Sequence, residues 1–160
     1  MGQEIERKYL VINNTYRNNS KGVLYKQAYL SSNPERTVRV RVYNQKGYLT
    51  IKGPNDGCTR AEFEYEIPCN EAQTIIDNLC EKPIIEKYRY NVEYEGLIWE
   101  VDEFIGDNSG LVIAEIELKH ENQSFIKPSW IGEEVTGDQR YYNSNLVKNP
   151  FCTWAERINK

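Results

Sequence analysis

The 160-residue sequence predicts a mainly β (α+β) fold: eight antiparallel strands closed into a barrel with a charged lumen and a few helices outside it. Three observations predict it. Apolar and polar residues alternate with period two through eight segments, and turn residues separate most of them. In seven of the eight, the polar face consists of charged residues, mostly of one sign per strand. Successive side chains on a strand point to opposite sides, so each such segment has one charged and one apolar face.

The first segment, about 3–11, carries Glu4, Glu6 and Lys8 on one face and Ile5, Tyr9 and Val11 on the other. In the second, about 23–31, the inward face is ambiguous: Tyr25, Gln27 and Tyr29 share one side, Leu24, Lys26, Ala28 and Leu30 the other. The third, 36–43, sets Arg39 and Arg41 against Val38, Val40 and Val42, and the fourth, 47–53, sets Thr50 and Lys52 against Leu49 and Ile51. In the fifth, 60–67, Glu62 and Glu64 alternate with Phe63, Tyr65 and Ile67. The sixth, 85–94, alternates Lys87 and Arg89 with Tyr88 and Tyr90; the seventh, 97–105, alternates Glu100 and Asp102 with Trp99 and Val101. The eighth, 111–120, places Glu115 and Glu117 opposite Ala114, Ile116 and Leu118.

The breaks carry turn chemistry, as in Asn44-Gln45-Lys46-Gly47, Gly53-Pro54-Asn55-Asp56-Gly57 and Glu95-Gly96. Between the fifth and sixth strands, Ala72, Ile75, Ile76 and Leu79 recur at helical spacing over 70–81, with Asn70 as the expected N-cap. Thr136-Gly137-Asp138-Gln139 has capping-box spacing ahead of Tyr141, Leu146 and Val147, which predicts a second helix over about 136–147 stopped by Pro150. With no internal repeat or linker, the chain reads as a single domain over 1–160.

Composition narrows the function classes. A formal net charge of −4 provides no global positive field to recruit nucleic acid or an anionic membrane surface, and the 12 Tyr are too scattered for an RNA stacking platform. No apolar run has the length of a membrane span, and the start is a charged strand, so the expected compartment is the cytoplasm. Cys58, Cys69, Cys80 and Cys152 form no C-x-x-C and have no histidines at zinc-finger spacing, which leaves them as free thiols. His120, the single histidine, cannot build a Ser-His-Asp site alone. Chemistry here rests on carboxylates, lysines, arginines and a metal.

Two architectures satisfy the alternation: an open sheet whose charged face meets water, and a closed sheet whose charged faces line a lumen. The sorting of charge favours closure. Arg-x-Arg set against several Glu-x-Glu pairs is repulsive within each strand unless ligands of opposite sign lie between them. In the proposed lumen eight carboxylates (Glu4, Glu6, Glu62, Glu64, Glu100, Asp102, Glu115, Glu117) face six cations (Lys8, Arg39, Arg41, Lys52, Lys87, Arg89). Carboxylates are the ligands hard divalent cations prefer, and guanidinium groups match phosphate oxygens bidentately. The pattern points to a metal-dependent site for a polyphosphate.

These residues resemble the CYTH superfamily, the triphosphate tunnel metalloenzymes, and especially its short bacterial members. The matching elements run in the family's order: Glu4-Ile5-Glu6-Arg7-Lys8, Gln27-x-Tyr29-Leu30, Arg39-x-Arg41, Leu49-Thr50-Ile51-Lys52, Arg60-x-Glu62-x-Glu64, Glu86-Lys87-x-Arg89-Tyr90, Trp99-Glu100-Val101-Asp102, Glu115-x-Glu117 and Glu133-Glu134-Val135-Thr136-x-Asp138-x-Arg140-Tyr141-x-Asn143. The resemblance implies an eight-stranded tunnel, dependence on Mg²⁺ or Mn²⁺ with two ions, and a small-molecule triphosphate as substrate. It implies that Glu4, Glu6, Glu115 and Glu117 hold metal, directly or through water, with Glu62 and Glu64 supporting. Lys8, Arg39, Arg41, Lys52 and Arg89 would clasp phosphates, with Lys87 at the cleaving end. The last helix, around Asp138, Arg140 and Tyr141, would plug one tunnel mouth, with Glu100 and Asp102 further lumen residues.

The reaction so implied is hydrolysis of tripolyphosphate to pyrophosphate and phosphate, with a carboxylate among Glu4, Glu6, Glu64 or Glu117 taking the proton from water. Nucleoside or thiamine triphosphate hydrolysis, or cyclisation of ATP, are the alternatives within the fold; each needs room for an organic group that a plug obstructs. A non-catalytic polyphosphate-binding module is the alternative of another class.

Overall fold

The structure, a computed structural model, describes residues 2–154; the rest of the expected 1–160 domain lies outside them. Eight strands stand where alternation placed them: β1 (Gln3–Val11), β2 (Val23–Ser31), β3 (Thr37–Tyr43), β4 (Lys46–Lys52), β5 (Thr59–Ile67), β6 (Ile85–Tyr94), β7 (Leu97–Ile105) and β8 (Val112–Glu117). β8 stops short of the predicted residue 120. A further strand, β9 (Ile131–Glu134), was not predicted, because four residues are too few to show a period.

The sheet runs β5-β4-β3-β2-β6-β7-β8-β1 and closes by antiparallel pairing of β5 with β1, which removes the open-sheet alternative. β1 is the seam. Along one edge Glu6 to Leu10 pair with Glu117 to Ile113 of β8. On the other edge only Gln3, Glu4 and Ile5 reach β5, opposite Ala61, Arg60 and Thr59, after which Tyr9 and Val11 pair with Glu134 and Ile131 of β9. Between these ladders the Glu6 amide donates to the Cys58 carbonyl at 2.9 Å and the Lys8 amide to Thr136 Oγ1 at 2.9 Å. The Lys8 carbonyl accepts from the Val135 amide at 2.8 Å, so both polar groups of Lys8 on that edge and the Glu6 amide are satisfied where the ladder changes partner.

The hairpins follow their turn chemistry. Asn44 and Gln45 join β3 to β4 with both φ values positive (50° and 63°), and Glu95 and Gly96 do the same between β6 and β7 (50° and 80°). Such turns match the right-handed twist of the flanking strands.

Apolar faces point outward and are covered piecewise. The helix α1 (Cys69–Asn78) lays Ala72 and Ile76 on Ala28 of β2 and Val40 of β3. Gly47 makes that approach possible, since a Cβ there would lie 2.6 Å from Ala72 Cβ. The predicted Asn70 cap is displaced: Asn70 lies inside the helix, and Pro68 precedes it with no side-chain cap. The helix also ends before residue 81, because Glu81 is drawn to β2, its amide bonding the Tyr29 carbonyl and its carboxylate taking Ser32 Oγ at 2.7 Å. A second cluster gathers Tyr9, Tyr16, Trp99 and Trp130 in edge-to-face contact. A third packs Ile85, Phe104 and Ile113 against Tyr141, Leu146, Val147 and Trp154.

The single helix expected over 136–147 is not formed. Gly137 adopts a φ of 81°, which breaks a helix at its start. The Asp138 carboxylate then caps a 3₁₀ turn at Gln139–Tyr141, and a six-residue helix, α2 (Asn143–Lys148), follows. Thr136 does not cap it; its hydroxyl donates to Glu134 and accepts from the Lys8 amide. No helix among the described residues is long and apolar enough to cross a membrane.

Gly47→Ala is expected to lower stability by about 2 kcal/mol through overpacking against α1, a drop of roughly 4–8 °C in Tm for a chain of this size. An unchanged melting temperature would show that α1 has room to move away.

Candidate active site

The lumen is a cavity of about 260 Å³. β1 contributes Glu4, Glu6 and Lys8 to its wall, β3 Arg39 and Arg41, β4 Lys52, and β5 Glu62 and Glu64. β6 contributes Lys87 and Arg89, β7 Glu100, and β8 Glu115 and Glu117. The ambiguity of β2 resolves toward its polar side: Tyr25 and Tyr29 face the lumen, Gln27 is fully buried, and Leu24 and Leu30 are exposed outside.

Four expected residues sit elsewhere. Asp102 is buried behind the wall. Asp138 and Arg140 pair with each other at 2.7 Å on the outer surface, and Tyr141 packs edge-to-face on Trp154 in the outer core. The residues that the C-terminal segment does turn inward are Thr136, Tyr142, Asn143 and Ser144. Alternation could not find them, because they lie on turns and a short helix without period.

The cations divide into held and free. Arg89 makes a two-pronged contact with Asp102 at 2.8 and 2.9 Å, and Lys87 Nζ lies 2.7 Å from the same carboxylate. Lys8 pairs with Glu115 at 3.2 Å, and Lys52 with Glu4 at 3.0 Å and Glu62 at 3.6 Å. Arg39 reaches Glu64 at 3.5 Å, a contact braced by Thr50. Among the described residues Arg41 has no carboxylate partner; its Nε donates to Gln27 Oε1 at 2.9 Å and its guanidinium lies over the Tyr25 ring. Burial, with Arg39 and Arg89 adding to it, lowers the Arg41 pKa to about 10, so it stays charged at neutral pH.

Lys87 differs from the rest. Burial outweighs the attraction of Asp102, and Arg89 and Arg41 add repulsion, lowering its pKa to about 7. Asp102 itself is held below the usual carboxylate range despite its burial, because Arg89 and Lys87 flank it. Arg89 is raised despite its own burial, first by Asp102.

On β1, β7 and β8 carboxylates crowd beside Arg89, which also reaches Glu100 at 3.3 Å and Glu115 at 3.6 Å. Oxygens of Glu6, Glu100 and Glu115 lie within 4.8 Å of one another. Burial first, then Glu115 and Glu4, raise the Glu6 pKa well above its ordinary value, while Glu115 is pulled well below despite burial because Lys8 and Arg89 face it. Burial also raises Glu62 and Glu117, reinforced in both by Glu4. Converging carboxylates with too few cations between them suit a hard divalent ion, which prefers oxygen ligands.

Against known proteins, residues 2–145 match the CYTH domain. The chain belongs to the CYTH family. It is 59% identical over 156 residues, 98% of this chain and 100% of the relative, to an inorganic triphosphatase of Acetivibrio thermocellus. An inorganic triphosphatase of Nitrosomonas europaea is 35% identical over 150 residues, 90% of this chain and 96% of that relative. The crystal structure of the inorganic triphosphatase NE1496 superposes with a TM-score of 0.65 at 32% identity, covering 89% of this chain and 96% of that one. The tunnel fold implied by the CYTH resemblance is therefore the fold observed.

Asp102 is expected to matter more for folding than either of its partners. Asp102→Asn removes the one carboxylate shared by two buried cations, leaving Arg89 only its longer contacts to Glu100 and Glu115, and should cost about 3–5 kcal/mol, whereas Lys87→Met leaves the Arg89–Asp102 pair intact and should cost less. Denaturant midpoints in the opposite order would show that Arg89 and Lys87 find other partners.

Proposed function

We propose that this chain is a divalent-metal-dependent triphosphatase that cleaves inorganic tripolyphosphate into pyrophosphate and phosphate, working as one CYTH domain in the cytoplasm. The observation that carries this reading is the two-signed lumen, with carboxylates crowded on β1, β7 and β8 and a guanidinium on β3 that has no carboxylate partner among the described residues. The 59% identity to a protein named inorganic triphosphatase supports the choice of reaction.

Glu6, Glu100 and Glu115, with Glu4 and Glu117 nearby, would hold Mg²⁺ or Mn²⁺, two ions in all, and Glu62 and Glu64 would support them. Bound there, the cations would neutralise phosphate oxygens and favour ionisation of the attacking water. Arg41, Arg39 and Arg89, with Lys8 and Lys52, clasp the phosphate chain, since phosphoryl transfer asks the protein mainly for positioning and charge stabilisation. Water adds to the terminal phosphorus, the bond from that phosphorus to the bridging oxygen breaks, and pyrophosphate leaves. In this reading Lys87 accepts the water proton in place of the expected carboxylate (Glu4, Glu6, Glu64 or Glu117), since it faces the lumen and its pKa is lowered to about 7. Tyr142 and Asn143 line the lumen from the C-terminal segment; in this reading residues 136–148 cover one tunnel mouth, which favours a substrate without an organic group.

Phosphate release from tripolyphosphate with Mg²⁺ or Mn²⁺ tests the reading. The specificity constant is expected to exceed that for ATP by at least ~10-fold, which needs only about 1.4 kcal/mol of differential transition-state binding. Chelation of the metal should abolish turnover, and Glu6→Gln should lower it by at least ~10²-fold. Rates independent of metal, or a preference for ATP with cyclic AMP as product, would overturn it.

Turnover should also rise with pH across neutrality as Lys87 loses its proton, the sign required of a base whose pKa lies near 7. A rate that falls over that interval would remove Lys87 from the proton-accepting role.

A further inference from the structure

Gln27 and Asn143 belong to matching motifs, yet neither has been given a task by the reaction. Both side chains lie in one hydrogen-bonded chain. Arg41 Nε donates to Gln27 Oε1 at 2.9 Å, Gln27 Nε2 donates to Asn143 Oδ1 at 3.0 Å, and Lys87 Nζ donates to the same Asn143 oxygen at 2.8 Å.

The direction of this chain is dictated by its ends. Guanidinium and ammonium groups only donate, so Gln27 must turn its oxygen to Arg41 and its nitrogen to Asn143, and Asn143 must present its oxygen. A flip of either amide would set donor against donor. The two amides thus relay the position of Arg41, on β3, to Lys87, on β6, through a residue of α2.

For Lys87 the consequence is angular. Its nitrogen is tetrahedral, and two of the three directions away from its stem are taken by Asp102 Oδ2 at 2.7 Å and Asn143 Oδ1 at 2.8 Å. A neutral amine held by two acceptors keeps both N–H bonds on them and turns its lone pair along the third direction. We infer that Asn143 and Gln27 are positioning residues for the triphosphatase reaction, and that the C-terminal segment, besides covering the tunnel, completes the site by holding Lys87 in register with the arginine clasp. This inference rests on the triphosphatase reading for its kinetic consequence, not for the geometry.

The groups that face Lys87 are Asp102 of β7, Glu115 of β8, Arg41 of β3 and Arg89 of its own strand. Against that constant background a change at position 143 has a predictable sign. Asn143→Ala removes an acceptor that favours the ammonium and should move the Lys87 titration down. Asn143→Asp keeps the shape, adds a negative charge and should move it up.

Tripolyphosphate kinetics with Mg²⁺ over a pH series, together with NMR titration of the Lys87 side chain, test the inference on the full chain. Asn143→Ala should lower kcat by at least ~10-fold with KM changed less than ~3-fold, whereas a segment that only covers the tunnel would change KM or the preference over ATP. Gln27→Met should lower kcat and also raise KM, because Arg41 loses its acceptor too. The acid limb of kcat and the NMR midpoint should move in opposite directions in Asn143→Ala and Asn143→Asp. If the alanine variant does not fold, the isosteric aspartate variant still reads the shift. Should the parent fail to hydrolyse tripolyphosphate, the triphosphatase reading falls while the NMR midpoints still decide the positioning. Midpoints within about 0.2 pH unit of the parent in both Asn143 variants overturn the inference.

Discussion

Asp102, about 1% exposed, lies between Arg89 and Lys87, and the inner wall depends on that contact. Cations taken out of water are tolerated only with a partner of good geometry, and one carboxylate here serves two. By holding Arg89 through both oxygens it leaves the guanidinium fixed in direction, and by holding Lys87 it places an amine inside a protein wall without fully securing its charge. Asp102 is therefore a support for the site, set one step behind the groups that face the lumen.

The rest of the lumen follows the same rule with a deliberate imbalance. Lys8, Lys52 and Arg39 are each compensated by a nearby carboxylate, yet Glu6 is forced toward its protonated form and Arg41 is left with an amide and an aromatic ring. A crowded carboxylate pushed toward its neutral form and an arginine without a carboxylate partner among the described residues are the groups that the proposed metal ions and polyphosphate would compensate. Binding sites commonly hold strain of this kind, offset by packing elsewhere. The packing that such a site relies on is supplied outside the barrel by the aromatic cluster around Trp99 and by α1 on Ala28 and Val40.

Closure of the barrel depends on a short seam. β1 spends only Gln3 to Ile5 on β5 before β9 takes over the same edge, so the loop 53–58 and the segment that begins at Thr136 meet beside Glu6 and Lys8. That junction lets the C-terminal segment enter the site from outside the sheet. Its side chains divide by direction: Tyr141, Leu146 and Val147 bind it to the outer core, and Tyr142 and Asn143 turn inward.

Much of this was legible in the sequence. A period of two is a property of the strand backbone, so the inward set from Glu4 to Glu117, and the sign of each strand's charge, can be read without coordinates. Strand β2 could not be read, since Tyr25 and Gln27 are neither clearly core nor clearly wet, and the choice was made by Val40 and α1 claiming Ala28 for the outside. Nor could the C-terminal segment, where Gly137 breaks the helix that capping chemistry at Thr136 suggested and Asp138 and Arg140 pair with each other at the surface. The sequence by itself determined the barrel, its charged interior and the ligands that interior suits, because those depend on local geometry repeated strand by strand. Only the tertiary structure decided which carboxylate stands behind the wall, which arginine is left free and that Asn143 meets Lys87, because each depends on distances between residues far apart in the chain.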